Sequence, residues 1–118
     1  RGRKPPLTRE GNNMQYALYQ TFEESKIRRD AMFYGKDSKF YNLEQAEEAF
    51  KPDNRKENYN FVGIMEADNL NHAFELSNTG KNIKGAYSMS VGDVLVNMHT
   101  GKTFIVAPIS FHQLYKGE

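Results

Sequence analysis

The sequence predicts a small α+β domain, a mostly antiparallel sheet with two or three helices packed on one face. Three observations carry this expectation. The chain has 118 residues, 38% hydrophobic and 13% aromatic, enough for one domain with a real core. β-prone runs and helix-period stripes alternate along it, roughly in the order β-α-α-β-α-β-β. A hairpin signal joins the last two strands, and a strand, a helix and a hairpin in succession close on one sheet.

Residues 1–13, RGRKPPLTREGNN, hold no apolar pattern beyond Leu7. Pro5-Pro6, Gly2, Gly11 and two Asn disfavour regular structure, so this stretch is expected to be a disordered basic arm. A single domain is expected over residues 14–118. MQYALYQTF (14–22) is β-prone and places Tyr16, Leu18 and Phe22 on one face. Residues 23–41 fit either a short helix capped by Ser25 or a hairpin around Lys36-Asp37-Ser38; the helix followed by a loop is favoured.

Asn42 opens a clearer helix, with Gln45 three residues on in a capping-box-like arrangement. Leu43, Ala46, Ala49 and Phe50 form its apolar stripe, and Pro52 is expected to stop it. KPDNRKENYN (51–60) then reads as a polar loop. FVGIMEA (61–67) reads as a buried strand, since both faces are mostly apolar, and Asp68 as the N-cap of the next helix. Leu70, Ala73, Phe74 and Ser77 follow at helical spacing, with Gly80 as a left-handed terminator. Val91 to Met98 reads as a strand interrupted at Gly92-Asp93. His99-Thr100-Gly101-Lys102 signals a hairpin turn, and KTFIVAP (102–108) is its partner. Ile109, Phe111 and Leu114 suggest a last short strand or turn.

Composition narrows the chemistry. There is no cysteine, which rules out disulfides, thiolate metal sites and a Cys nucleophile, and fits a reducing, cytoplasmic setting. No apolar run approaches the roughly 20 residues needed to cross a bilayer, so no membrane partner is expected. The basic start is followed by no apolar stretch, so no secretory leader is expected. Net charge is +1 but unevenly placed: Arg1, Arg3, Lys4 and Arg9 against Glu10 give the first ten residues +3, leaving −2 for the remainder. Attraction to nucleic acid would therefore have to come from the arm or from local patches.

The candidate nucleic-acid-binding residues are Arg1, Arg3, Lys4 and Arg9 in the arm, and Lys26, Arg28 and Arg29 in a second cluster. Glu23, Glu24 and Asp30 interrupt that cluster, a mixture typical of a solvated helix face. Tyr16, Tyr19, Phe33, Tyr34, Phe40 and Tyr41 would stack bases if exposed on a sheet, but such density more often fills a core. His72, His99 and His112 share no metal-ligand spacing. Glu66 and Asp68 flank a strand-to-helix junction where two acids can hold Mg²⁺ or move protons, yet a helix cap and a solvated strand end explain them more simply. Asp93 after Gly92 reads as a turn acid. Ser88, Ser90 and Ser110 lack a nucleophile context, and no phosphate-binding glycine motif occurs. No catalytic residue, metal or cofactor is expected.

Two resemblances add to this reading. Arg1-Gly2-Arg3-Lys4-Pro5-Pro6 resembles the Arg-Gly-Arg-Pro core of AT-hook segments, with Lys4 where that core has proline; it implies minor-groove contact with A·T-rich DNA. Residues 59–114 resemble small phage, plasmid and mobile-element domains of YodL-like type. The likeness rests on Val62-Gly63-Ile64-Met65-Glu66-Ala67-Asp68, on Leu70, Ala73, Phe74 and Asn78, and on Tyr87-Ser88-Met89-Ser90-Val91-Gly92-Asp93-Val94. It implies phage or mobile-element ancestry and an accessory role, and it supplies no catalytic residues; the first expectation is a non-enzymatic accessory protein that binds and modulates a host or viral protein. The alternative expectation is a DNA-binding accessory protein that uses the arm. Ser88, Ser90, Gly92 and Asp93 also have a structural reading: hydroxyls and a carboxylate that satisfy backbone amides at a tight bend before Val94–Val96 enters the sheet.

Overall fold

The structure, a computed structural model, describes residues 14–21, 43–107 and 110–116. Strands are β1 (Met14–Thr21), β2 (Tyr59–Ala67), β3 (Val94–Asn97), β4 (Thr103–Val106) and β5 (Phe111–Leu114). Helices are α1 (Leu43–Phe50), α2 (Pro52–Asn58) and α3 (Leu70–Asn78). The strands form one antiparallel sheet in the order β2-β1-β3-β4-β5. The α+β class and the antiparallel sheet are as the sequence leads one to expect. The preference for a helix within residues 23–41 and the arm at residues 1–13 lie outside the described residues.

The placement of the helices differs from expectation: they cover both faces of the sheet. β1 is apolar at successive positions, so both faces need cover. On one face Tyr16 and Leu18 pack with Met65, Ala67, Leu95 and Val106 beneath Ala73 of α3, with Met89 closing the cluster. On the other face Val94, Ile105 and Leu114 pack with Tyr59 beneath Ala46 and Phe50 of α1. Tyr19, one residue on from Leu18, belongs to this second cluster. A strand flanked on both sides by other strands buries both of its side-chain rows, which one helical layer cannot do.

Two boundaries also move. The stretch 51–60, expected as a loop, contains α2. Pro52 ends α1 but sits in the first turn of α2, where its missing N–H is no loss. α2 buries no residue. It is held instead by polar contacts: Asn58 Nδ2 donates to Ala49 O (2.9 Å), Asn54 Nδ2 donates to Glu48 O (2.9 Å), and the Arg55 guanidinium lies 4.0 Å from the Phe50 ring centroid. β3 begins at Val94, not Val91. Residues 90–93 form a turn in which Asp93 N–H donates to Ser90 O (3.0 Å).

α3 is capped by Asn69, not Asp68. Asn69 Oδ1 accepts from His72 N–H (2.8 Å), while Asp68 N–H donates to His72 Nδ1 (2.9 Å). Its far end follows expectation: Gly80 has φ +88°, and Lys81 N–H reaches back to Leu76 O (3.2 Å), the arrangement that a left-handed residue makes at a helix terminus. The β3–β4 turn is also as expected. Asn97 Oδ1 accepts from His99 and Thr100 N–H (2.8 and 3.1 Å), and Gly101 N–H donates to Asn97 O (2.7 Å).

Candidate functional site

Two places concentrate polar or accessible groups: a buried network behind β1 and β3, and an open groove on the α3 face. The network is built from sequence-distant parts. Gln20 at the end of β1 is 1% exposed and Asp93 is 0% exposed. Gln20 Nε2 donates to Asp93 Oδ2 (3.0 Å) and to Tyr87 O (2.8 Å), while its Oε1 accepts from Tyr87 N–H (3.2 Å). Asp93 Oδ2 also accepts from Ser90 N–H (3.0 Å). Tyr87 OH donates to Thr21 O, and Tyr59 OH donates to Gly92 O (2.8 Å). Gly92 N–H and Asp93 O pair with Val106 on β4 (2.9 and 2.8 Å). The Tyr87–Val94 run is thus a clasp that fastens the β3 turn to β1 and β4, in line with its structural reading.

Burial, then the negative charge of Asp93, then Tyr115 push the Tyr59 hydroxyl well above its ordinary value. Ionising it would place a phenolate in a dry site beside a carboxylate. The unfolded chain ionises near pH ~10, the folded chain only at higher pH. Stability is therefore complete below about pH 10 and falls as pH rises beyond it, by up to about 1.4 kcal/mol per pH unit for one proton. Denaturation midpoints measured from pH 7 to pH 11 should fall more steeply for the wild type than for Tyr59→Phe. Burial also raises Tyr16, so a smaller slope remains in the variant.

The groove lies where α3 leaves part of its own face uncovered. α3 packs against β2, so the β4–β5 end of this face stays open. A hollow of about 590 Å³ is lined by Asn69, Asn97, Phe104, Phe111, Gln113 and Lys116 among others. A second of about 420 Å³ adjoins it, sharing Asn71, Ser110 and Phe111, and is floored by Met89 and Val106. Phe74, exposed on α3, meets Phe111 edge-to-face at 6.2 Å across it. Among the described residues no carboxylate lines either hollow, whereas Lys116 lines the larger one.

β5, at the rim, is an end strand, with no strand beyond it among the described residues. Ala107 N–H donates to Ser110 O (2.7 Å), which fixes the alternation of the β4–β5 ladder. Ser110, His112 and Leu114 turn their peptide groups toward β4, and Phe111 and Gln113 turn theirs outward. Among the described residues nothing pairs with these outward N–H and C=O groups, which border the groove.

The residues singled out from sequence fall as follows. Arg1, Arg3, Lys4, Arg9, Lys26, Arg28 and Arg29 lie outside the described residues, as do Phe33, Tyr34, Phe40 and Tyr41. Tyr16 is core, and Tyr19 packs against Phe50 (5.0 Å) and Phe61 (5.4 Å). Glu66 and Asp68 are exposed, and the Asp68 carboxylate lies 3.8 Å from His72 Nδ1. Among the described residues no three His, Asp or Glu side chains gather in a way that could hold a metal ion. No helix among them is long and apolar enough to cross a membrane. The groove itself is not visible in the sequence: Phe74 and Phe111 read as helix and strand apolars, and nothing local says that they face one another. Comparison with known protein families, curated proteins and solved structures finds no match to this chain.

Proposed function

We propose that this chain is a non-enzymatic accessory protein of phage or mobile-element type that binds a host or viral protein through the groove between α3 and β4–β5. The observation that carries the reading is the pairing of an aromatic-lined hollow with a free strand edge. Phe74, Phe104 and Phe111 offer apolar contact, and the amides of Asn69, Asn71, Asn97 and Gln113 offer donors and acceptors. The outward peptide groups of Phe111 and Gln113 match an extended polypeptide, which supplies the same groups in return. With Lys116 in the lining and no acid there among the described residues, the fitting segment is neutral or acidic. The phage-type reading rests on the resemblance of residues 59–114. The Tyr87–Val94 run fastens the turn and lends Met89, Ser90 and Val91 to the wall of the smaller hollow.

The test is affinity capture from host lysate, with and without nuclease, using the full chain and Ser110→Arg. Ser110 is exposed and borders both hollows, so arginine there fills the groove and leaves the core alone. The expected result is a protein partner that survives nuclease and falls roughly tenfold or more with the variant. A partner held equally by the blocked variant overturns the groove. Loss of every partner after nuclease overturns protein binding in favour of the DNA-binding arm, whose retention on DNA should also decline steeply with salt.

A further inference from the structure

The opposite edge of the sheet points to a different partner. β2 is the end strand, and among the described residues no strand lies beyond it. Met98 N–H donates to Gln15 O (2.8 Å), so Gln15 turns its peptide groups to β3. By alternation Ala17 and Tyr19 do likewise, while Met14, Tyr16, Leu18 and Gln20 turn toward β2. Their partners Ala67, Met65, Gly63 and Asn60 turn back toward β1. Phe61, Ile64 and Glu66 therefore hold their N–H and C=O groups out at the free edge. Tyr59 offers only its C=O there, since its N–H is held by Arg55 O.

The same edge carries two conspicuously exposed apolar side chains, Phe61 at 56% and Ile64 at 49%. Three residues apart on a regular strand, they would point to opposite faces. A bulge prevents this. Leu18 faces Gly63 and Tyr19 faces Phe61, so Val62 is an extra residue. Gly63 has φ +145°, and a Cβ there would meet Ile83 Cγ2 at 3.0 Å, so the bulge is fitted to glycine. Its effect is to bring Phe61 and Ile64 onto one face, with their peptide groups turned the same way. Exposed edges are commonly guarded by lysine or proline, and residues 59–67 contain neither.

We infer that a second copy of this chain docks antiparallel on β2, with the two-fold axis passing through the Val62–Gly63 bulge. In this register Phe61 lies opposite Ile64 of the second copy, and Ile64 opposite its Phe61, each pair exchanging backbone hydrogen bonds. The four exposed apolar side chains then cover one another on a single face of a continuous sheet. Glu66, the one charged residue of the strand, falls opposite Tyr59, so the two carboxylates sit at opposite ends of the contact. Moving the register by one residue would set outward peptide groups against inward ones and lose both the bonds and the apolar match.

Analytical ultracentrifugation of the full chain, from low micromolar to near-millimolar concentration, tests this. The expected result is a reversible monomer–dimer equilibrium that weakens roughly tenfold or more in Phe61→Lys and in Ile64→Lys, while at concentrations where the wild type is monomeric Ile64→Lys keeps its thermal midpoint, because that side chain is largely exposed. Hydrogen exchange on the wild type provides a measurement independent of the variants: the Phe61 and Ile64 amides should gain protection as concentration rises. A chain that stays monomeric throughout, a dimer indifferent to both lysines, or edge amides whose exchange ignores concentration would each overturn the inference. Because Ser110 lies at the far edge, its arginine variant should leave this equilibrium untouched.

Discussion

Asp93→Ala should destabilise the protein by about 3–5 kcal/mol, a large fraction of the 5–15 kcal/mol typical of a whole domain. The carboxylate is fully buried, and its Oδ2 receives both Gln20 Nε2 and Ser90 N–H. Truncation leaves two donors in a dry interior without their acceptor, each costing about 1–3 kcal/mol. It also frees the turn whose backbone fastens to Val106, so the loss should extend to the β3–β4 pairing. Asp93→Asn retains an acceptor oxygen of the same reach and should lose less than half as much. Urea midpoints of both variants check this, with amide exchange at Ser90 and Val106 locating the damage. An alanine variant within 1 kcal/mol of the wild type would refute the clasp. If Asp93 were instead a reactive acid, the asparagine variant would abolish an activity while leaving the midpoint unmoved.

Half of this clasp is readable in the sequence and half is not. Ser90, Gly92 and Asp93 announce a bend with a carboxylate to satisfy it, because the groups that meet are neighbours in the chain. Gln20 does not announce itself. It lies 73 residues from Asp93 and on a strand whose apolar pattern gives no reason to bury an amide. The same distinction runs through the fold. α3 and the β3–β4 hairpin are written locally, in a helical stripe ended by Gly80 and in a turn centred on Gly101. α2 is not, because it buries nothing and owes its place to Arg55, Asn54 and Asn58 reaching back onto α1. A polar segment after a proline reads as a loop until its partners are known. The groove and the free β2 edge are further out of reach, since each depends on strand order. Phe61 and Ile64 look like two rows of one buried strand until the bulge and the edge position are seen. FVGIMEA reads as a buried strand, yet it lies at the end of the sheet, where a strand needs no second covered face.

Phe50→Ala should cost about 3–5 kcal/mol and detach α1 from the sheet. Phe50 is the largest of the fully buried side chains among the described residues and sits between two rings, Tyr19 at 5.0 Å and Tyr59 at 5.2 Å, both near perpendicular. On its remaining face lies the Arg55 guanidinium, whose Nε also donates to Phe50 O (3.0 Å). One side chain thus joins α1, α2, β1 and β2, and its removal empties the point where they meet. Phe50→Leu refills much of the volume but restores neither the edge-to-face contacts nor the cation–π contact, so it should recover only part of the loss. Exchange rates separate a local from a global effect: amides of α1 and α2 should lose protection first, and those of α3 on the opposite face last. Equal loss on both faces would mean that the two cores unfold as one unit. A cost below about 1 kcal/mol would mean that Ala46 and Tyr115 hold α1 without the ring. The latter outcome would shift the anchor to the Tyr115–Glu47 contacts, where Tyr115 N–H donates to Glu47 Oε2 (2.6 Å) and Tyr115 OH to Glu47 O (2.7 Å).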